Sequence, residues 1–230
     1  MAFDWLNIAQ SILAVLPAAA ALLISYGRYD GFFKDNIIFL YFVGGLIAGM
    51  GVAIFHAFLG PYFLLFLLGV PLVEQFAKTV VINRRKWQGE RHAVFNGGAY
   101  GAGMGVILSL WYAKGYLLSW DLLMLLQVLG LATGITLVAV ATGWTVGAAV
   151  RDHAPFKGTF IASVASIPMA FFIGYWVVPP HEAWVPALMA LYGLALLAFG
   201  IRKILPGGVS REELQEMRRR RRRGRAAGTE

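Results

Sequence analysis

The chain has no cysteine, which excludes disulfides and thiolate-ligated metal centres outright. Charge is scarce too: 14% of the 230 residues are Asp, Glu, Lys or Arg, against 59% hydrophobic. That balance is too apolar for a soluble domain of this length and makes a bilayer the natural solvent. The opening "MAFDWLN" carries Asp4 but no lysine or arginine. It lacks the positive n-region of a secretory signal, so the first apolar run is read as a retained helix. Within the apolar runs, His56 has no second histidine or further carboxylate with which to complete a metal site. Neither a metal nor another cofactor is expected.

What the chain does have is long apolar runs. Seven are long enough to span, at roughly 20 residues each: residues 8–26, 37–60, 61–83, 93–112, 121–149, 157–178 and 184–203. The expected fold is all-α, a polytopic bundle of seven transmembrane helices over 1–205, followed by an Arg-rich tail over 206–230. Gly60-Pro61 joins the second and third spans and suits a tight hairpin at the membrane surface. The fifth span exceeds what a bilayer needs, so it is expected to tilt or project. Basic residues alternate between loops: Arg28 and Lys34, then none, then Arg84, Arg85, Lys86 and Arg91, then Lys114 alone, then Arg151 and Lys157, then none, then the basic tail. The positive-inside rule places the N-terminus outside and the C-terminus in the cytoplasm of a cell membrane. Trp87, Trp111, Trp120, Trp176 and Trp184 fall near span ends, as an aromatic belt requires.

Few polar groups interrupt the spans. Glu74 and Lys78 stand four apart in "PLVEQFAKTVV", which on a helix puts them on one face in the favourable glutamate-first order for a pair. Gln75 is read as lying on a different face. Charge in hydrocarbon is costly and faces a bundle interior or a wet cavity. The pair reads either as a neutralised brace, with Lys78 snorkelling toward the cytoplasm, or as a proton path or water-activating carboxylate. His56 reads as an interfacial hydrogen-bonder near an outer helix end. The fourth span opens "FNGGAYGAGMG", with Gly97, Gly101 and Gly105 four apart, and the fifth carries Gly143 and Gly147. Such small-xxx-small faces let helix backbones approach closely, and "GGLIAGMG" in the second span is read as sharing this core.

The order of these features resembles the PrsW family of polytopic membrane proteases. "VEQFAK" stands where that family has Glu-Glu-x-x-Lys, "GAYGAGMGVILS" where it has a glycine-rich helix ending in Glu-Asn, and "AVATGWTVGAAVR" where a histidine precedes spaced glycines. "LAFGIRK" is similar to its basic close and "VLPAAAALLISYGRYD" to its first helix, so the resemblance covers residues 8–203. It implies remnant catalytic positions at Glu74 and Lys78. The second glutamate is Gln75, the later glutamate falls on Leu108 with Ser109 for asparagine, the first histidine falls near Ala139, and "TFIASVASIPMAFFIGYW" has no histidine. A lone glutamate without a partner base or metal is a poor hydrolase. The resemblance therefore implies a protease-inactive scaffold that binds other membrane proteins, with an intramembrane protease using Glu74 as the alternative.

Beyond Gly207-Gly208, Ser210 and Glu213 form a capping-box pattern ahead of Arg218, Arg219, Arg220, Arg221, Arg222, Arg223 and Arg225. This run is read as docking on anionic lipid or on a polyanion such as ribosomal RNA. A channel or transporter is a third reading, but no internal repeat relates the first three spans to the next three. A retinal protein is excluded because the last span has its lysine, Lys203, only at its cytoplasmic end.

Overall fold

The computed structural model describes residues 5–27, 29, 33–114, 121–177, 182, 184–209, 212 and 215. Among these the chain is all-helical, with seven helices long and apolar enough to cross a membrane. They are α1 (Trp5–Tyr26), α2 (Asp35–Leu59), α3 (Phe63–Ile82), α4 (His92–Ala113), α5 (Leu122–Arg151), α6 (Pro155–Val177) and α7 (Trp184–Phe199). This is the architecture of a multi-pass membrane protein.

Local chemistry sets several boundaries. Pro61 has no N–H to continue a helix, and α2 closes through the Gly60 N–H to the His56 carbonyl at 2.9 Å. Asp121 caps α5 by accepting from the Leu123 N–H at 3.1 Å. At 30 residues, α5 is about 45 Å long, well beyond a hydrocarbon core of about 30 Å. Its far end is polar. Arg151 donates to Asp152 at 2.7 Å, which holds that carboxyl below its usual range, and also to the Gly207 carbonyl, tying α5 to the segment after α7.

Helix α4 is the buried centre: 89% of its membrane-spanning stretch is buried, against 28–56% in the others. Small residues make this possible, because in lipid close backbone packing is what holds helices together. A Cβ on Gly97 would sit 2.2 Å from the Gly143 carbonyl oxygen, and one on Gly101 would sit 2.1 Å from that of Ala139. Gly105 faces Thr136, and Gly147 of α5 faces the Ala93 carbonyl. On its other side α4 meets α2 just as closely, with Gly103 against the Phe42 carbonyl and Gly45 against that of Tyr100. Around this three-helix centre α3 packs on α6, and α7 on α5.

A fully buried Trp144 of α5 fills the space between α1, α4 and the chain just after α7. Its indole N–H reaches the Tyr26 hydroxyl at 3.4 Å, and Tyr26 in turn donates to the Phe95 carbonyl. Gly98 and Gly200 give the indole room. Immediately after α7 the chain widens into a π turn over Gly200–Ile204.

Candidate functional site

Helix α3 supplies Glu74, Gln75 and Lys78, and the structure corrects how they pair. No ion pair within 4 Å joins Glu74 to Lys78. The Lys78 ammonium is fully buried and donates to Gln75 Oε1 at 3.1 Å and to Thr142 Oγ1 of α5 at 2.9 Å. It does not snorkel. Gln75, three residues before Lys78 and also a helical neighbour, takes the place expected of the glutamate. The Gln75 amide N–H donates to Ser166 of α6 at 2.9 Å and lies 3.5 Å from Glu74 Oε2. Gln75 is thus a bridge within the network and not a bystander on another face.

Glu74 faces His56 instead. Its Oε1 lies 3.5 Å from His56 Nε2, an electrostatic contact whose angles are not those of a hydrogen bond, since Nε2 has no hydrogen-bond partner. The other ring nitrogen, Nδ1, is 2.6 Å from the Tyr112 hydroxyl of α4. His56 is therefore a core residue, 1% exposed, and not an interfacial one. The chain of contacts runs Tyr112–His56–Glu74–Gln75–Lys78–Thr142 with a branch to Ser166, and it links α2, α3, α4, α5 and α6.

Sequence reasoning missed the His56–Glu74 approach because the α2–α3 hairpin sets His56 beside Phe66, whose ring it meets at 5.9 Å. Glu74 lies two turns further along. The available signal was side-chain direction: helical side chains lean toward their helix N-terminus, which on α3 is the hairpin end where His56 lies.

Two cavities adjoin this network. A pocket of about 390 Å³ opens between the ends of α2, α3, α4 and α6, with His56 and Tyr112 in a largely apolar wall that includes Phe63, Phe66 and Trp111. A second space of about 20 Å³, room for roughly one water, lies deeper. Glu74, Ser166, Leu108 and Ala139 line it together. Leu108 is the position onto which the sequence resemblance places the later glutamate, and Ala139 lies near the one for the first histidine. Ser109 instead turns to its own helix and α5, donating to the Gly105 carbonyl at 2.7 Å and lying 3.2 Å from Thr136.

Chemically, a carboxylate beside an imidazole can pass a proton. Among the described residues no three His, Asp or Glu side chains gather to hold a metal. The glycines at 97, 101, 105, 143 and 147 belong to the α4–α5 crossing and not to this network. The arginines at 218–223 and 225, the Ser210–Glu213 pattern and Trp120 lie outside the described residues. Tyr112→Phe removes the hydroxyl from the His56 ring and should lower stability by about 1 kcal/mol, measured by thermal unfolding in mild detergent. Comparison with known protein families, curated proteins and solved structures gives no match for this chain.

Proposed function

We propose that the chain is a PrsW-type scaffold without protease chemistry. It sits in the cell membrane with its N-terminus outside and receives apolar segments of other membrane proteins in the 390 Å³ pocket. One observation carries this reading: Leu108 and Ala139 converge with Glu74 on a single small space. Leu108 stands where a protease of the resembled family would carry its later glutamate, and Ala139 near where it would carry its first histidine. Their meeting beside Glu74 is what supports this reading. With leucine and alanine there, Glu74 has no partner base within that space, and a lone carboxylate activates water poorly. The pocket beside it has aromatic walls that suit an apolar side chain more than a polar one. The basic tail would dock the scaffold on anionic lipid or ribosomal RNA.

A second reading has one specific observation in its favour. The 3.5 Å approach of His56 to Glu74 offers a base from the other side, as an intramembrane protease using Glu74 would need.

Cells carrying Glu74→Gln separate the two readings. The scaffold predicts that new protein termini in the membrane proteome, read by mass spectrometry, match those of wild type. Loss of specific termini would establish the protease instead. For binding, a photo-crosslinking residue at Phe63, 48% exposed beside the pocket, should capture membrane-protein partners that the same residue at Leu194, 49% exposed on α7, does not. Equal capture at both positions would remove the pocket from the proposal.

A further inference from the structure

A third cavity, about 270 Å³, lies at the opposite end of α2 from His56, where α3 leaves the membrane. Its floor and walls are mostly apolar: Ile37, Leu40, Tyr41 and Gly44 of α2, Val81 of α3 and Tyr100 of α4. Leu40 is 67% exposed and forms an outer lip toward lipid. From Ile37 to Gly44 is about 10 Å of helix, enough for the proximal part of one acyl chain.

The mouth is unlike the walls. Arg84, Lys86 and Trp87 close it, in a loop whose basic residues Arg84, Arg85, Lys86 and Arg91 outnumber its one acid, Glu90. Lys86 Nζ rests 4.8 Å from the centre of the Trp87 ring. Among the described residues no carboxylate comes within ion-pair distance of Arg84 or Lys86, and the nearest acids in sequence, Glu74 and Glu90, pair with neither. The Trp87 indole packs against Tyr41 of α2, ring centre to ring centre 6.1 Å, and so fixes the position of the loop at the mouth.

We propose that this groove is a binding site for one anionic phospholipid. An acyl chain lies along Ile37, Leu40 and Gly44, and the phosphate meets Arg84 and Lys86. The charge at the mouth selects the headgroup. The apolar depth distinguishes a lipid from a soluble anion, which would leave that surface empty. The site is separate from the network around Glu74 and holds whether that network is a scaffold brace or an active centre.

The test is native mass spectrometry of the full chain in mild detergent, with added phosphatidylglycerol or phosphatidylcholine of matched acyl chains. Wild type should retain one phosphatidylglycerol in preference to phosphatidylcholine. Arg84→Gln with Lys86→Gln should weaken that retention about five-fold for each charge removed. Gly44→Leu leaves every charge in place but fills the groove, and it should abolish retention. A Cβ at Gly44 meets only the Tyr100 ring, at 3.6 Å, so the helices need not move to admit it. Arg202→Gln with Lys203→Gln, an exposed basic pair at the end of the last helix, should change nothing. The proposal is overturned if both lipids are retained equally, if Gly44→Leu retains lipid as wild type does, or if the 202/203 pair matters as much as the 84/86 pair. Should Gly44→Leu fail to fold, the surface pair at 84 and 86 still decides the matter.

Discussion

Gly143→Ala should prevent the bundle from assembling normally, while Gly51→Ala should leave it intact. The two substitutions add the same methyl group to glycines in apolar helices, so only the surroundings differ. At Gly143 the new Cβ would lie 2.1 Å from the Gly97 carbonyl oxygen and 2.8 Å from its carbon; at Gly51 it would meet nothing within 4 Å. A flexible side chain can swing away from an intruding methyl, but a helix carbonyl cannot, so α4 and α5 must separate. Overpacking typically costs about 1–3 kcal/mol, and a backbone contact on the most buried helix belongs at or above the upper end. Gly51→Ala gains helix propensity, up to about 1 kcal/mol in water, and should be neutral or slightly stabilising. Thermal unfolding in detergent reads both. Gly97→Ala should match Gly143→Ala, and the double substitution should cost less than the sum, because one separation of the two helices relieves both clashes. Equal effects at Gly51 and Gly143 would mean that the α4–α5 crossing is not set by these glycines.

The seven helices were legible because hydropathy over about 20 residues needs no knowledge of neighbours. The Gly60-Pro61 break was legible too, because its chemistry is local. The site was legible only in part. Glu74 and Lys78 stood out as charges in hydrocarbon, but spacing within α3 cannot say which other helix offers a better partner. Thr142 and His56 reach them from α5 and α2, and the Gln75 amide bridges the two. The second close face of α4 was legible in part, through the glycines of "GGLIAGMG" in the second span, but its contacts were not. Gly103 and Gly45 matter because α2 lies against them, and no periodicity in α4 alone names α2 as the neighbour. Trp144 drew no notice in the sequence, yet it occupies a core space that Gly98 of α4 and Gly200 just after α7 vacate. In each case the missing quantity was the contact between helices, which in lipid depends on shape more than on hydrophobic pattern.

Lys78→Met should destabilise the bundle by about 3 kcal/mol, and adding Glu74→Gln should restore most of that loss. The single change leaves Gln75 Oε1 without the Lys78 donor and removes the cation closest along the network to Glu74. Removing one partner of a buried charged pair costs about 3–5 kcal/mol, whereas replacing both with groups of similar volume is nearly neutral. Methionine approximates the lysine stem and glutamine the glutamate. In the double variant no charge remains in the hydrocarbon, and the amide at 74 can still meet Gln75. Glu74→Gln alone should cost less than Lys78→Met, since it leaves the ammonium bonded to both Gln75 and Thr142. The cycle should therefore show a coupling of about 2 kcal/mol, within the range for residues sharing one network, although the two side chains do not touch. Additive costs would mean that Gln75 does not transmit between them, and Glu74 would then belong with His56 alone. Coupled stability together with unchanged membrane-protein termini is the pattern that a structural brace requires. Coupled stability with lost termini would instead make the same bridge part of a working catalytic site.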